Sequence, residues 1–289
     1  CEYTTRELIM AAGALPVCLC GGSVDMIPPA EEDLPANLCP LIKSTYGYHL
    51  EKANPFLEKA ALLVAETTCD GKKKMYEIMA QERPMHILEL PQKPDDPVAL
   101  DHWCHELNKL KQTLEKLFSI ELCDERIGAA IDTMNRERAL RLRLAELMKR
   151  DNPPLTGREL LDYKSIISGL PDDLEQYDKA LEELESREAP CERRDATRVL
   201  LTGVPTPHGA ERVVDIIEDH GGLIVAMENC TGLKPILSQV DNDADDKIRA
   251  LAEHYFSLPC SVMTPNEGRL DTMRALAKDY NADCVIDLS

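Results

Sequence analysis

Apolar positions along the chain fall into three patterns. Residues 1–97 carry short apolar runs separated by Pro and polar loops. Ala60-Ala-Leu-Leu-Val-Ala65 reads as a buried strand, Glu66 to Gly71 as a loop, and Lys72 to Gln81 as a helix with Met75, Ile78 and Met79 on one face. Arg83-Pro84 stops that helix, and His86-Ile-Leu-Glu-Leu90 reads as the next strand. Residues 98–190 are dense in Leu, Glu, Lys and Arg. Leu107, Leu110, Leu114 and Leu117 recur at helical spacing, and Thr156-Gly-Arg-Glu159 is a capping box. Residues 191–289 return to strand–loop–helix units. The expected strands are Arg198 to Leu201, Leu223 to Met227, Ser261 to Met263 and Cys284 to Leu288, and the expected helices are Ala210 to His220 and Glu267 to Lys278.

Strands alternating with helices predict parallel sheets with right-handed crossovers. The predicted fold class is therefore α/β. Two Rossmann/flavodoxin-like parallel-sheet lobes, 1–97 and 191–289, flank a helical insertion at 98–190. The chain opens on Cys1 rather than Met and stops just after an apolar run, so we expect a fragment whose C-terminal lobe is truncated.

Composition narrows the function classes. The 289 residues are 44% hydrophobic, enough for a sizeable core, and the formal charge of −19 repels phosphate backbones, which argues against nucleic acid as partner. The apolar runs are too short for a membrane span, and no signal peptide is visible. Eleven Cys in an acidic α/β chain of this size suit a reducing, cytoplasmic setting, where thiols are buried or hold metal.

In open parallel sheets ligands gather at the carboxyl ends of the strands. The reactive residues expected there are cysteines: Cys69 and Cys230 follow predicted strands, Cys20 ends the run Leu15 to Cys20, and Cys39 lies in the loop Asn37-Leu-Cys-Pro40. Cys69 directly precedes a helix and is followed by Gly71 and three lysines, a setting that favours thiolate and metal ligation. The plain alternative for each is a small buried hydrophobe. That reading is preferred for Cys284, inside a predicted strand, and Cys104, Cys123 and Cys191 are poorly placed as ligands. Cys260, at the start of an expected strand, sits at the wrong end of a simple sheet. No C-x2-C pair occurs, so zinc ribbons and ferredoxin runs do not apply. The calcium-like start at Asp241 fails at Asp246 and Ala252, and P-loop and dinucleotide fingerprints are lacking.

Four stretches together carry a resemblance. Met10 to Ala14, Asn37 to Ser44, Glu66-Thr-Thr-Cys-Asp-Gly-Lys-Lys-Lys-Met-Tyr76 and Glu228-Asn-Cys-Thr-Gly232 resemble the 2-hydroxyacyl-CoA dehydratase family, and within it the double-cubane cluster proteins most. The resemblance runs over residues 1–289 and is weakest in the helical middle. It implies an oxygen-sensitive iron–sulfur cofactor, either a [4Fe–4S] cluster or a bridged double cubane, held between α/β lobes. It implies a reductase of small molecules or, alternatively, removal of water from a 2-hydroxyacyl-CoA by radical chemistry. An electron-relay subunit with no substrate of its own is the remaining alternative. It also implies a separate ATP-dependent iron–sulfur activator as electron donor and a dimer of like or related subunits. The matching thiols are Cys1, Cys39, Cys69, Cys230 and, less closely, Cys260. Family members carry a further Cys soon after the stretch matching Cys284 to Leu288.

Overall fold

The computed structural model describes residues 2–187 and 195–288, so Cys1 and Cys191 lie outside the described residues. The first part contains α1 (Arg6–Ala11), α2 (Ile27–Ala30), α3 (Pro40–Leu50), α4 (Pro55–Lys59), β1 (Leu63–Glu66), α5 (Asp70–Met79) and β2 (Met85–Leu88). The middle contains α6 (Ala99–Phe118), α7 (Asp124–Glu146), α8 (Gly157–Asp162) and α9 (Pro171–Ser186). The last part contains β3 (Thr197–Gly203), α10 (Arg212–Asp219), β4 (Gly222–Met227), α11 (Lys247–Phe256), α12 (Glu267–Asp279) and β5 (Cys284–Leu288).

The architecture is mixed α/β with two parallel sheets, as the alternation of elements requires. One sheet pairs β1 with β2, and the other has the order β4-β3-β5. Side-chain alternation in β3 serves two layers. Val199 and Leu201 face Val214 of α10, whereas Leu200 faces the helices α7, α9 and α12. β4 buries every residue from Leu223 to Met227 because helices cover both its faces. Gly203 is required where β3 meets β5. Its φ is +104°, and a Cβ there would lie 2.0 Å from the Leu288 carbonyl oxygen.

The helical middle supplies core to both ends. Trp103, Leu107, Leu110 and Leu114 of α6 pack with Leu88 and Leu90 from the first sheet and with Leu251 and Tyr255 of α11. Helix α7, about 34 Å long at 1.5 Å per residue over its 23 residues, gives Ile127 and Ile131 to this cluster and Leu140 and Leu144 to the one under β3 and β4. A buried ion pair locks it. Arg138 donates to Glu7 of α1 at 2.6 Å, and the Tyr255 hydroxyl donates to the other Glu7 oxygen at 2.7 Å.

Three local expectations fail. Ser261 to Met263 form turns, and β5 pairs with β3 instead. Thr264 is drawn away from the sheet by donating its N–H to the Gln92 carbonyl at 2.8 Å. The run Leu15 to Cys20 makes only an isolated bridge, Val17 to Ile167, because the loop before α9 reaches it first. Cys284 is exposed rather than in the core, since β5 is an edge strand with an exposed face. Leu117 is 45% exposed, beyond the face that α6 buries.

Candidate functional site

Each sheet ends in loops that carry thiols. Cys69 is the N-cap residue of α5 and Cys39 the N-cap residue of α3. Both are exposed, and neither side chain makes a capping hydrogen bond. The thiols therefore stand free beside first-turn N–H groups and the positive ends of two helix dipoles. Pro40 at the first position of α3 costs no hydrogen bond there. Gly71 lets the two helix starts approach. A Cβ on it would lie 2.8 Å from both Leu38 Cδ1 and Ile42 Cδ1.

The loop before Cys69 is tied to the turn that carries Cys260. The Thr67 hydroxyl accepts from the Leu90 N–H at 2.9 Å, and the Gln92 side-chain amide donates to the Thr67 and Thr68 carbonyls. Gln92 in turn receives the Thr264 N–H, four residues beyond Cys260. Cys260 is buried.

Cys230 sits in the loop after β4. The Asn229 carboxamide oxygen accepts from the N–H groups of Thr231 and Gly232, and its NH₂ donates to the Val204 carbonyl at 3.0 Å. This clamps the loops after β3 and β4 together. Lys164 donates to the Cys230 carbonyl at 3.2 Å, so the middle segment also helps place the thiol. Burial pushes the Cys230 thiol up to about 11, against the pull of Lys234.

The thiols share buried neighbours. The Tyr3 hydroxyl is buried and lies beside the Cys260 thiol. Burial raises its pKa, and the charges of Cys260, Cys230 and Glu66 add to the rise. Glu66, at the end of β1, is buried and accepts from the Thr4 hydroxyl at 2.6 Å. Burial opposes its ionisation, yet its pKa lies below the usual range, with Lys72 and the Thr4 hydroxyl among the groups that lower it. Burial would lower the Lys72 pKa, yet Tyr76, Glu66, Cys20 and Cys69 keep it raised. Tyr3 thus feels Cys230 and Cys260, the half-buried Lys72 feels Cys69, and Glu66 acts on both; Cys39 stands at the helix start packed beside Gly71. Among the described residues, no three His, Cys, Asp or Glu side chains are close enough together to hold a single metal ion.

Only one of the three lysines after Cys69 turns inward. Lys73 and Lys74 are exposed and pair with Asp70 and Glu77. Lys72 lies three and seven residues before Met75 and Met79, the buried residues of α5, so helical spacing was the signal that singles it out. Tyr3, Glu2 and Lys164 had no such signal. Glu2 is buried between Arg6 and Lys164, which together overcome the penalty of burial and bring it down to about 2. Cys18 and Cys20 line one cavity. The hydrogen bond between them lowers the Cys18 pKa and raises that of Cys20.

A second buried charge group lies beside Cys230. Glu228 is fully buried, accepts from the Thr202 hydroxyl at 2.7 Å, and pairs with Lys234 at 3.3 Å and Arg269 at 3.4 Å. His208 is exposed and pairs with Glu211 at 3.4 Å. The acidic stretch from Asp241 ends in Asp246, which caps α11 by accepting from the Arg249 N–H.

The family described as 2-hydroxyglutaryl-CoA dehydratase, D-component, matches residues 1–289. The chain belongs to this family. It is 37% identical to the dehydratase subunit YjiM of Escherichia coli (strain K12), over all of this chain and 76% of that protein. It is 24% identical to one of the subunits of benzoyl-CoA reductase from Thauera aromatica, over 77% of this chain and 58% of that protein. The chain is therefore a member of a family of dehydratase and reductase enzyme subunits. No helix among the described residues is long and apolar enough to cross a membrane.

Proposed function

We propose that this chain is an iron–sulfur reductase subunit that takes low-potential electrons from a separate ATP-hydrolysing iron–sulfur activator and passes them to a small substrate. This reading is supported by the placement of Cys230 and Cys260 within electrostatic reach of Tyr3, of Cys69 within reach of Lys72, and of Glu66 within reach of both, with Cys39 at the helix start packed beside Gly71. The donor set fits a cluster. Thiolates are the usual ligands of iron–sulfur centres, and two of these thiols, Cys230 and Cys260, lie near the buried Tyr3 hydroxyl.

The ligands in this reading are Cys39, Cys69, Cys230 and Cys260, joined by Cys1, which lies outside the described residues. Such a cluster, a bridged double cubane in the favoured form, supplies one-electron reducing power at low potential. The protein's own groups have separate duties. First-turn N–H groups of α3 and α5 face the thiolates and offset their negative charge. Lys72 adds a cation, Lys164 fixes the Cys230 loop, and Asn229 holds that loop's shape.

The family description and the name of the E. coli relative favour a second reading, a 2-hydroxyacyl-CoA dehydratase subunit with one [4Fe–4S] cluster. Iron and sulfide counts on the full-length protein purified without oxygen separate the two. About eight irons per subunit support the double cubane, about four the dehydratase cluster. A relay subunit is reduced by the activator without turnover. Absence of iron rejects all three. Cys69→Ser is expected to abolish or greatly reduce iron binding, read by metal analysis.

A further inference from the structure

The first sheet encloses a cavity that the thiol site does not use. It has a volume of about 430 Å³ and lies among β1, α3, α4, α5 and the segment 14–20. That size falls within the range of small-molecule sites. Its body is apolar, with walls from Ile42, Leu57, Met75 and Phe118. Its polar end holds Lys72, Tyr76, Glu66 and Cys20. The same Lys72 and Tyr76 feel the charge of Cys69, so the polar end adjoins the thiol site.

We propose that this cavity binds a compact, uncharged organic molecule with an apolar body and one hydrogen-bond-accepting oxygen, a carbonyl or hydroxyl, held by Lys72 and Tyr76. The assignment rests on the reductase reading only in calling the bound molecule its substrate. Charge balance sets the class of ligand. Lys72 is offset by Glu66, and Arg6, also on the wall, is paired with Glu2. Lys59, the remaining cation of the lining, is exposed, so no buried cation is left over for an anionic head, and a charge in the apolar body would lose its hydration uncompensated. A neutral oxygen accepting from the Lys72 ammonium and the Tyr76 hydroxyl carries no such cost. Sequence alone points to Lys72 facing inward but not to the space in front of it, because that space exists only when segment 14–20 lies across from β1 without pairing to it.

The test uses the full-length protein purified without oxygen, and the same protein stripped of iron by a chelator. The probes are 4-methylpentanamide, acetamide and free coenzyme A, with binding read by ligand-observed NMR and calorimetry. The expected result is binding of 4-methylpentanamide with Kd of about 1 mM or tighter, and at least about tenfold weaker binding of acetamide, which lacks the apolar body. Leu41→Trp and Ala61→Phe, which fill the cavity from two walls, weaken the binding about tenfold or more. Thermal melting selects whichever variant keeps the wild-type fold. Lys72→Met weakens it about tenfold, and Lys73→Met, one residue along and exposed, leaves it unchanged. Equal binding to wild type and a folded filling variant overturns the assignment, as does no binding. Binding of coenzyme A alone, with none of the amide, also overturns it. Iron content separates the two claims: binding in a protein that never holds iron leaves the cavity standing and rejects the cluster, and iron without binding does the reverse.

Discussion

The two sheets present their thiols in opposite ways. At the first sheet Cys39 and Cys69 are exposed residues at the mouths of two helices, beside a cavity. At the second, Cys230 is half-buried in a loop fixed on several sides, and the neighbouring charges Glu228 and Lys234 are sealed in. The first sheet has two strands and the second has three, with β4 covered on both faces. The thin end offers access, and the thick end offers rigidity. A site assembled from both has reactive groups that can be reached and a wall that holds its shape.

The largest expected effect tests that wall. Glu228→Ala strands the buried Lys234 charge and is expected to cost about 3–5 kcal/mol, seen as a fall in the denaturation midpoint. A loss under about 1 kcal/mol would show that water reaches this end as freely as the other. Reactivity comes next. In the metal-free protein at pH 8, Cys230, with its thiol pushed up to about 11, is expected to alkylate about a hundredfold more slowly than an ordinary thiol. Mass spectrometry should find the exposed Cys39, Cys69 and Cys284 labelled well before Cys230. If Cys230 is labelled alongside them, the contrast fails. On the thin side, Gly71→Ala pushes a methyl against the terminal methyls of Leu38 and Ile42, which can swing aside, so a cost of about 1–2 kcal/mol is expected. The smallest effect belongs to the middle segment. Thr156→Ala removes the capping box of α8, for a loss of about 1 kcal/mol, and leaves thiol reactivity alone.

Acid provides a further contrast. Burial, helped by Arg138, pushes His254 down to about 4, so the unfolded chain takes up a proton near pH 6.5 that the folded chain refuses. Stability from this source is lost as pH falls from about 6.5 towards 4. Glu2, brought down from 4.5 to about 2, contributes stability above pH 4.5 that is lost as pH falls further. Two successive acid losses are expected in denaturation curves, and His254→Asn should shrink only the first, to which His49 and His86, also pushed down by burial, contribute the rest.

Much of the fold was legible because burial leaves a period in the sequence. The unbroken apolar run of β4 and the helical spacing of Leu107, Leu110 and Leu114 required no tertiary information. The turns at Ser261 to Met263 deceived because a short apolar stretch reads alike whether it pairs or not, and here the Met263 N–H bonds back to the Cys260 carbonyl and closes a turn. Cys284 misled for a related reason: strand propensity says nothing about whether a strand is central or at an edge. For the candidate site, Cys39, Cys69 and Cys230 could be placed at loop ends by their position after strands or before helices. Tyr3 and Lys164 could not, since nothing local to either marks it as a neighbour of a thiol more than sixty residues away.

The sequence by itself determined which segments become helices and strands, that the sheets are parallel, and which thiols stand where parallel sheets gather ligands. These follow from periodicity and capping, which act over a few residues. The tertiary structure decided which of those thiols share neighbours, which lysine turns inward, and that a cavity opens beside β1. Such facts depend on distances between remote segments, and only the packing of α7 and α11 against both ends of the molecule sets them.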